Sequence, residues 1–360
     1  MTRVVHLHIG APKTGTTYVQ DRLALNVSSL AKHGVRYPGR RVGDPSRFHF
    51  QAALDLLEQK WGGPAGHSDG AWDAMVKKVR RHRGNSIISH EILAPAPPDK
   101  VAKVMSDLRG VDVHLVYSVR DLGRQLPAAW QESIKQGRKW PFRNFLDAAE
   151  GGNAWFAKAF DLPSVLNTWG RDVPPERIHV VTVPHRTADD PDLLWRRVCQ
   201  ALGIDPAWAP VDSENTNTSL GTPETQLIRK LNRRMGRTMR RDSQYDDMVL
   251  RLLARERLSG RKSPRVTLPP NRFDWAEEQG RLWIEWIKEH GVDVVGDLDE
   301  LIPVRPPADA RWVDPDKVPA RPLLRASLDA LEVMTKEAAS RPDPLTHRVS
   351  RRLGRRLGGR

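Results

Sequence analysis

Short runs of β-branched and aliphatic residues alternate along the chain with longer stretches in which apolar positions return every three or four residues. The first pattern reads as strand and the second as amphipathic helix. Runs at 4–9, 86–90, 113–119 and 178–183 predict strands, with Val35-Arg36-Tyr37 as a weaker fifth. Helices are predicted over 16–32, 46–59, 71–82, 100–108 and 192–202, and in a region after Arg120. Strands separated by helices predict an α/β fold of three layers, with a central parallel sheet of about five strands and helices on both faces. Further on, Trp275, Leu282, Trp283, Trp286 and Ile287 stand at helical spacing within 273–289 and predict an amphipathic helix whose tryptophans are core. Residues 303–325, rich in Pro and Arg, predict an extended wrap or linker. The chain thus divides into an α/β domain over 1–300, a Pro/Arg-rich wrap with a short helix over 301–340 as a helical C-terminal extension, and a basic tail over 341–360.

With 360 residues, 39% of them hydrophobic, the chain can bury a sizeable core, which excludes wholesale disorder. Its 58 basic and 44 acidic side chains leave a net charge of +14, so it should attract polyanions, phosphorylated ligands or acidic surfaces, and the charge does not choose among them. Two segments concentrate the charge. The tail 347–360 holds six arginines and no acid, with Val349, Leu353 and Leu357 every four residues. It reads either as a solvated tail or as a short helix making peripheral contact with an acidic membrane. The run Arg229, Lys230, Arg233, Arg234, Arg237, Arg240 and Arg241, with Leu227, Ile228, Leu231 and Met235 at helical spacing, is either an ordinary amphipathic helix or one bank of an anionic-ligand cleft. The sole cysteine, Cys199, excludes an intramolecular disulfide framework and any Cys-rich metal site, and suits a reducing compartment. In its apolar helical setting it predicts an inert buried thiol. The first residues are too short and polar a run for a secretory signal, and no stretch approaches the roughly 18 apolar residues of a membrane span, so a cytoplasmic protein is expected.

The most informative run is Gly10-Ala11-Pro12-Lys13-Thr14-Gly15-Thr16-Thr17, between a predicted strand and a predicted helix. That layout is a phosphate cradle, in which backbone N–H groups and a helix N-terminus face an anion. The triphosphate version reads G-x-x-x-x-G-K-[ST]. Gly10 and Gly15 keep its spacing, but Thr16 stands at the lysine position and the only lysine, Lys13, lies inside the loop. A kinase-type loop uses its lysine on the terminal phosphates and the next hydroxyl on Mg²⁺, so this order makes a poor ATP–Mg²⁺ site. It leaves one cation and three hydroxyls, Thr14, Thr16 and Thr17, to hold one phosphate and stabilise charge on a leaving oxygen.

The run 12–17 resembles the 5′-phosphosulfate loop of the sulfotransferases that use 3′-phosphoadenosine 5′-phosphosulfate (PAPS), a family with a P-loop-like α/β fold that moves a sulfuryl group from PAPS to a hydroxyl or amine without a metal. The resemblance implies that Lys13 contacts the bridging oxygen and assists the departing phosphate, while Pro12, Thr14, Gly15, Thr16 and Thr17 wrap the 5′-phosphate. Arg120, leaving the strand 113–119 at the edge where open α/β sheets bind ligands, resembles the family arginine that pairs with the 3′-phosphate. Its structural alternative is an ion pair with Asp121 or another acid. The chain departs from the family where a serine usually follows that arginine: here stand Ala128 and then Trp130, which passes the 3′-phosphate contact to Arg124, Gln125 or a residue elsewhere. Pro127 predicts a helix start or kink nearby. Tyr18 holds a position often occupied by tryptophan, where the ring helps fix adenine; the alternative is a ring facing the core. Residues 215–219 read as an N-cap and turn or as part of the site mouth, and Gly260-Arg261-Lys262-Ser263 resembles, in a different order and spacing, the basic loop that covers the 3′-phosphate. The likeness covers about residues 4–205.

Sulfuryl transfer to a hydroxyl or amine needs a general base for the acceptor's proton. His90 and Glu91 end the strand 86–90 at the same sheet edge, where the family generally keeps a histidine or a glutamate. His90 starts nearer neutral, whereas Glu91 needs a raised pKa or a direct hydrogen bond to the acceptor. Strand alternation lets only one of them reach the substrate. The expected activity is therefore transfer from PAPS, as co-substrate, to an unidentified glycan, lipid or small-metabolite acceptor. A P-loop kinase or nucleotide hydrolase would instead need ATP and Mg²⁺, and a non-enzymatic polyanion- or membrane-binding module would work through the tail. Nucleic acid is not an expected partner.

Overall fold

The computed structural model describes residues 3–40, 42–185, 190–213, 219–236 and 261–340, together with Val249, Leu252, Leu253 and Leu258. Six strands, β1 (Val4–His8), β2 (Val35–Arg36), β3 (Asn85–Ser89), β4 (Asp112–Val119), β5 (Ile178–Thr182) and β6 (Asp293–Val295), form one all-parallel sheet in the order β2-β3-β1-β4-β5-β6. The α/β class and the parallel sheet follow the sequence reading; the strand count does not stop at five. β6 adds a sixth strand of three residues, placed by pairing His179 with Asp293, and a run that short carries no periodicity to detect. The connection after β1 leads to β2 and β3 on one side, and that after β4 to β5 and β6 on the other. The switch in direction opens a crevice beyond the carboxyl ends of β1 and β4.

The helices sit close to their predicted positions: α1 (Thr16–Leu25), α2 (Val27–Lys32), α3 (Pro45–Leu56), α4 (Ala71–Arg81), α5 (Pro98–Asp107), α6 (Leu122–Lys135), α7 (Phe142–Glu150), α8 (Trp155–Phe160), α9 (Leu162–Trp169) and α10 (Leu193–Ala201). One helix predicted over 16–32 is two, because Asn26 breaks it. The Asn26 amide donates to the Arg22 and Val211 carbonyls at 2.7 Å each and accepts the Val211 N–H at 3.0 Å, so the side chain ties the helix end to a distant segment. Pro127 does not start α6, which begins at Leu122; it lies inside the helix.

Parallel strands buried on both faces carry near-continuous apolar runs, and Val5, Leu7, Leu115, Tyr117 and Val180 are fully buried here. On one face, Ile87, Val116, Val181 and Val295 pack with Val19 and Leu23 of α1 and with Trp195, Val198 and Cys199 of α10. Burial pushes the Cys199 thiol well up, which fits the inert thiol expected of it. On the opposite face the Tyr117 hydroxyl donates to the Ala159 carbonyl at 2.8 Å, and Trp169 donates to the Leu93 carbonyl at 3.1 Å. Trp130, Trp169 and Trp195 are among the largest fully buried side chains, and truncating any one to Ala would cost about 3–5 kcal/mol.

The apolar face covered by α1 and α10 also carries a polar row near the amino ends of the strands. His6 pairs with His114 in register across β1 and β4, and His179 on β5 stands opposite Asp293 on β6. Burial pushes His6 down to about 3, and burial with the neighbouring His179 and Arg177 holds His114 below its ordinary value.

The chain divides into two compact units. The first comprises Met1–Glu132, Trp140–Asn217 and Val266–Trp312 and holds the sheet; the second comprises Ser133–Lys139, Thr218–Arg265 and Val313–Arg360. The helix predicted over 273–289 is α12 (Phe273–His290) after α11 (Thr222–Arg234), but its buried face differs from the predicted stripe. Phe273, Ala276, Gly280, Trp283 and Ile287 are buried, whereas Leu282 is exposed and Trp275 and Trp286 are half-buried. A Cβ on Gly280 would stand 2.6 Å from the Leu301 carbonyl oxygen, so this face approaches backbone too closely for a larger side chain. In the second unit, α13 (Ala320–Ser340) begins inside the segment predicted to be extended and, at 21 residues, is not short. The tail 341–360 lies outside the described residues.

Candidate functional site

The loop between β1 and α1 is held from below by backbone and side-chain donors. Ile9 N–H donates to the Val116 carbonyl at 3.0 Å and Ala11 N–H to the Ser118 carbonyl at 2.8 Å, which clamps the loop to β4. Three successive carbonyls are then claimed: that of Ala11 by the Thr14 hydroxyl at 2.6 Å, that of Pro12 by Gln125 at 2.8 Å, and that of Lys13 by Arg120 at 3.2 Å. Because a trans peptide sets N–H opposite C=O, the Lys13 N–H points away from Gln125. The first-turn N–H groups of α1 have no partner within the helix. Two residues take the left-handed conformation, Lys13 at φ 69 and Gly15 at φ 90. For Lys13 that conformation is a strain that clusters at ligand clamps. A Cβ on Gly10 would come within 2.7 Å of His8 Nε2, whose ring is held by Ser89 and Ser118, and Gly15 takes a left-handed φ that favours glycine. Of the three hydroxyls read from the sequence, Thr14 and Thr16 are buried, the former already donating within the loop, and Thr17 is exposed.

Arg120 leaves β4 at its carboxyl end and reaches the loop. Among the described residues it pairs with no carboxylate, and its buried Nε has no hydrogen-bond partner. Burial, with the like charge of Arg124, brings the guanidinium down to about 10. The ion pair with Asp121 belongs to Arg124, which also donates to the carbonyls of Pro184 at 2.7 Å and Val183 at 3.0 Å. Arg124 is therefore engaged on structure, and the Gln125 amide on the Pro12 carbonyl. Trp130 is fully buried against Phe142 and takes no place at the site.

Lys13 Nζ lies 3.1 Å from Glu132 Oε2 on α6, a partner that the sequence reading missed and that no local pattern marks. At the end of β3, His90 keeps the ladder through its N–H to the His8 carbonyl at 3.1 Å, and Glu91 opens a single turn of 3₁₀ helix over Glu91–Leu93. The His90 Nδ1 accepts the Ile92 N–H at 3.2 Å, which leaves the ring proton of the neutral form on Nε2. Burial holds His90 below its ordinary pKa. For Glu91 burial pushes up, but His90, the Gln20 hydrogen bond at 3.1 Å and the Lys13 charge outweigh it and hold the carboxyl below the usual range. Glu91 is thus an ionised acceptor within the influence of the Lys13 charge, and His90 has its lone pair engaged. Gln20 also reaches Ser89 Oγ at 3.3 Å, and His8 bridges Ser89 at 2.8 Å and Ser118 at 3.1 Å, so one polar network underlies the loop from β3 to β4. Gln20 stands one helical turn after Thr16 on α1.

No family model and no curated protein matches this chain.

Tyr18 packs against the core beneath α1, and its hydroxyl accepts from Arg22 at 2.7 Å, the core-facing alternative. In the second unit, Arg261 is paired with Glu224 at 2.8 Å and with Asp329, and lines a cavity of about 580 Å³ with Lys262, Arg321 and Arg325. Arg229 is buried, bonded to Gln226 at 2.7 Å and paired with Asp316 at 3.4 Å, so the first member of the basic run supports the helix rather than a cleft. Arg237, Arg240, Arg241, Gly260 and residues 215–218 lie outside the described residues.

Proposed function

We propose that the Gly10–Thr17 loop binds the 5′-phosphosulfate of PAPS and Arg120 its 3′-phosphate, and that the protein is a sulfotransferase. The observation that carries this reading is Arg120, a largely buried guanidinium with no carboxylate partner among the described residues, bonded to the backbone of a loop whose lysine takes a left-handed conformation. Burial outweighs the nearby Asp121 charge and disfavours this cation, and phosphate oxygens match its planar fork. The displaced lysine and the threonine at the triphosphate lysine position favour a single-phosphate donor over ATP–Mg²⁺. PAPS would supply an activated sulfuryl group with adenosine 3′,5′-bisphosphate as leaving group. Lys13 and the loop N–H groups stabilise the negative charge that grows on the leaving oxygen, and Glu91 takes the proton of the acceptor hydroxyl or amine as its bond to sulfur forms. Glu132 holds the Lys13 ammonium in an ion pair at 3.1 Å. A cytoplasmic setting, with its reducing conditions, accords with one buried thiol; among the described residues no helix is long and apolar enough to cross a membrane.

Calorimetry with adenosine 3′,5′-bisphosphate tests the reading. The expected result is saturable binding without metal, no tight binding of ATP–Mg²⁺, and loss of sulfate transfer in Lys13→Ala with an unchanged circular dichroism spectrum. Tight ATP–Mg²⁺ binding without affinity for the bisphosphate, or near-normal transfer by Lys13→Ala, would overturn it.

A further inference from the structure

We propose that His6, His114 and His179 form a binding site for one zinc-class divalent cation near the amino ends of β1, β4 and β5, away from the phosphate loop. Their ligand nitrogens all lie within 4.8 Å of one another, with His114 Nδ1 2.9 Å from His179 Nε2. The His114 and His179 rings are parallel with centroids 5.2 Å apart, and the His6 ring lies 4.9 Å from that of His114. Zinc binds imidazole nitrogen at about 2.0–2.1 Å, so ligands around one ion stand roughly 3.3 Å apart; the 2.9 Å His114–His179 pair opens slightly and the wider spacings, none above 4.8 Å, close onto the ion. Register pairing sets the arrangement, since His6 and His114 are direct neighbours across two strands and His179 lies on the same face of the next strand.

The supporting hydrogen bonds prepare the right tautomers. Asp293 Oδ2, 2.6 Å from His179 Nδ1, can only accept, so that nitrogen carries the proton and Nε2 presents its lone pair. Asn85 donates through its amide to the Leu202 carbonyl at 2.7 Å, which turns its oxygen to His6 Nδ1 at 2.8 Å and leaves the His6 Nε2 lone pair open. A carboxylate or amide oxygen behind a ligating imidazole is the usual outer support of a metal site. His114 now donates its Nδ1 proton to His179; on metal binding that proton moves to His114 Nε2, and no proton is lost. Gly203 roofs the His6 edge without a side chain, and a Cβ there would stand 4.0 Å from Nε2. Three neutral imidazoles leave a fourth position for water. Three strands joined at this point make the ion a staple for the sheet.

The test uses metal-free, untagged, full-length protein titrated with ZnCl₂ by calorimetry, with metal analysis after gel filtration and thermal melts. One zinc per chain is expected in the parent and in the control His67→Gln, with a melting temperature several degrees higher when zinc is present. His114→Gln and His179→Gln should each lose tenfold or more in affinity, and Asp293→Asn roughly 10–100-fold. Cobalt(II) should give the intense visible absorption of a four-coordinate site in the parent and not in His114→Gln. This spectrum reads the site directly if a variant folds poorly. Failure of the parent to take up zinc stoichiometrically, or equal uptake by the two histidine variants, would overturn the proposal.

Discussion

At the level of single residues, two arginines four positions apart have opposite fates. Arg124 sits one helical turn beyond Asp121 and takes its carboxylate together with three backbone carbonyls, whereas Arg120, adjacent to Asp121 in the chain, points to the loop. A structural arginine destabilises the fold when removed; a buried cation without a carboxylate does not. Arg120→Met should therefore leave the melting temperature unchanged or raise it, while affinity for adenosine 3′,5′-bisphosphate falls about 10-fold or more, the worth of charge-assisted hydrogen bonds. A large drop in melting temperature with intact binding would return Arg120 to a structural role. Strand-end position made Arg120 legible in the sequence, but its freedom from Asp121 was not, because helical geometry after β4 decides which guanidinium the carboxylate meets. Lys13 was legible for the same local reason, and its partner Glu132, 119 residues away, was not.

Elements show where periodicity suffices and where it fails. The stretch 16–32 reads as one helix because asparagine is tolerated in helices, yet Asn26 exchanges helical continuity for three hydrogen bonds, two of them to Val211. Asn26→Ala should cost about 2–3 kcal/mol, roughly 1 kcal/mol for each buried bond, read as a lower urea midpoint. A loss below about 0.5 kcal/mol would mean the break is set elsewhere. For α12 the tryptophan spacing pointed to a face rotated from the buried one, which it shares at Trp283 and Ile287, because hydrophobicity ranks Trp275 and Trp286 above Ala276 and Gly280 as core. Close approach to the Leu301 backbone reverses that ranking: only small residues fit there.

The whole molecule buries histidines that must stay neutral. Burial pushes His6 and His49 down to about 3 and His8 down to about 4, from an ordinary value of 6.5. Below pH 6.5 the unfolded chain binds protons that the folded chain refuses, so stability is lost as pH falls from 6.5 toward those folded values, by up to about 1.4 kcal/mol per pH unit for each group. The urea midpoint of the metal-free protein should drop steeply between pH 7 and pH 5, and a flat profile over that range would contradict the buried neutral state. None of this was readable in the chain, where the histidines stand apart as residues 6, 8 and 49. Periodicity and turn chemistry act over a few neighbouring residues, and so the α/β class, the parallel sheet and the glycine loop were already written in local order. Which groups share a charge, a proton or a metal depends on distance in space. The Lys13–Glu132 pair, the bond from Arg120 to the loop, the short β6 and the histidine row therefore came into being only when six strands lay side by side.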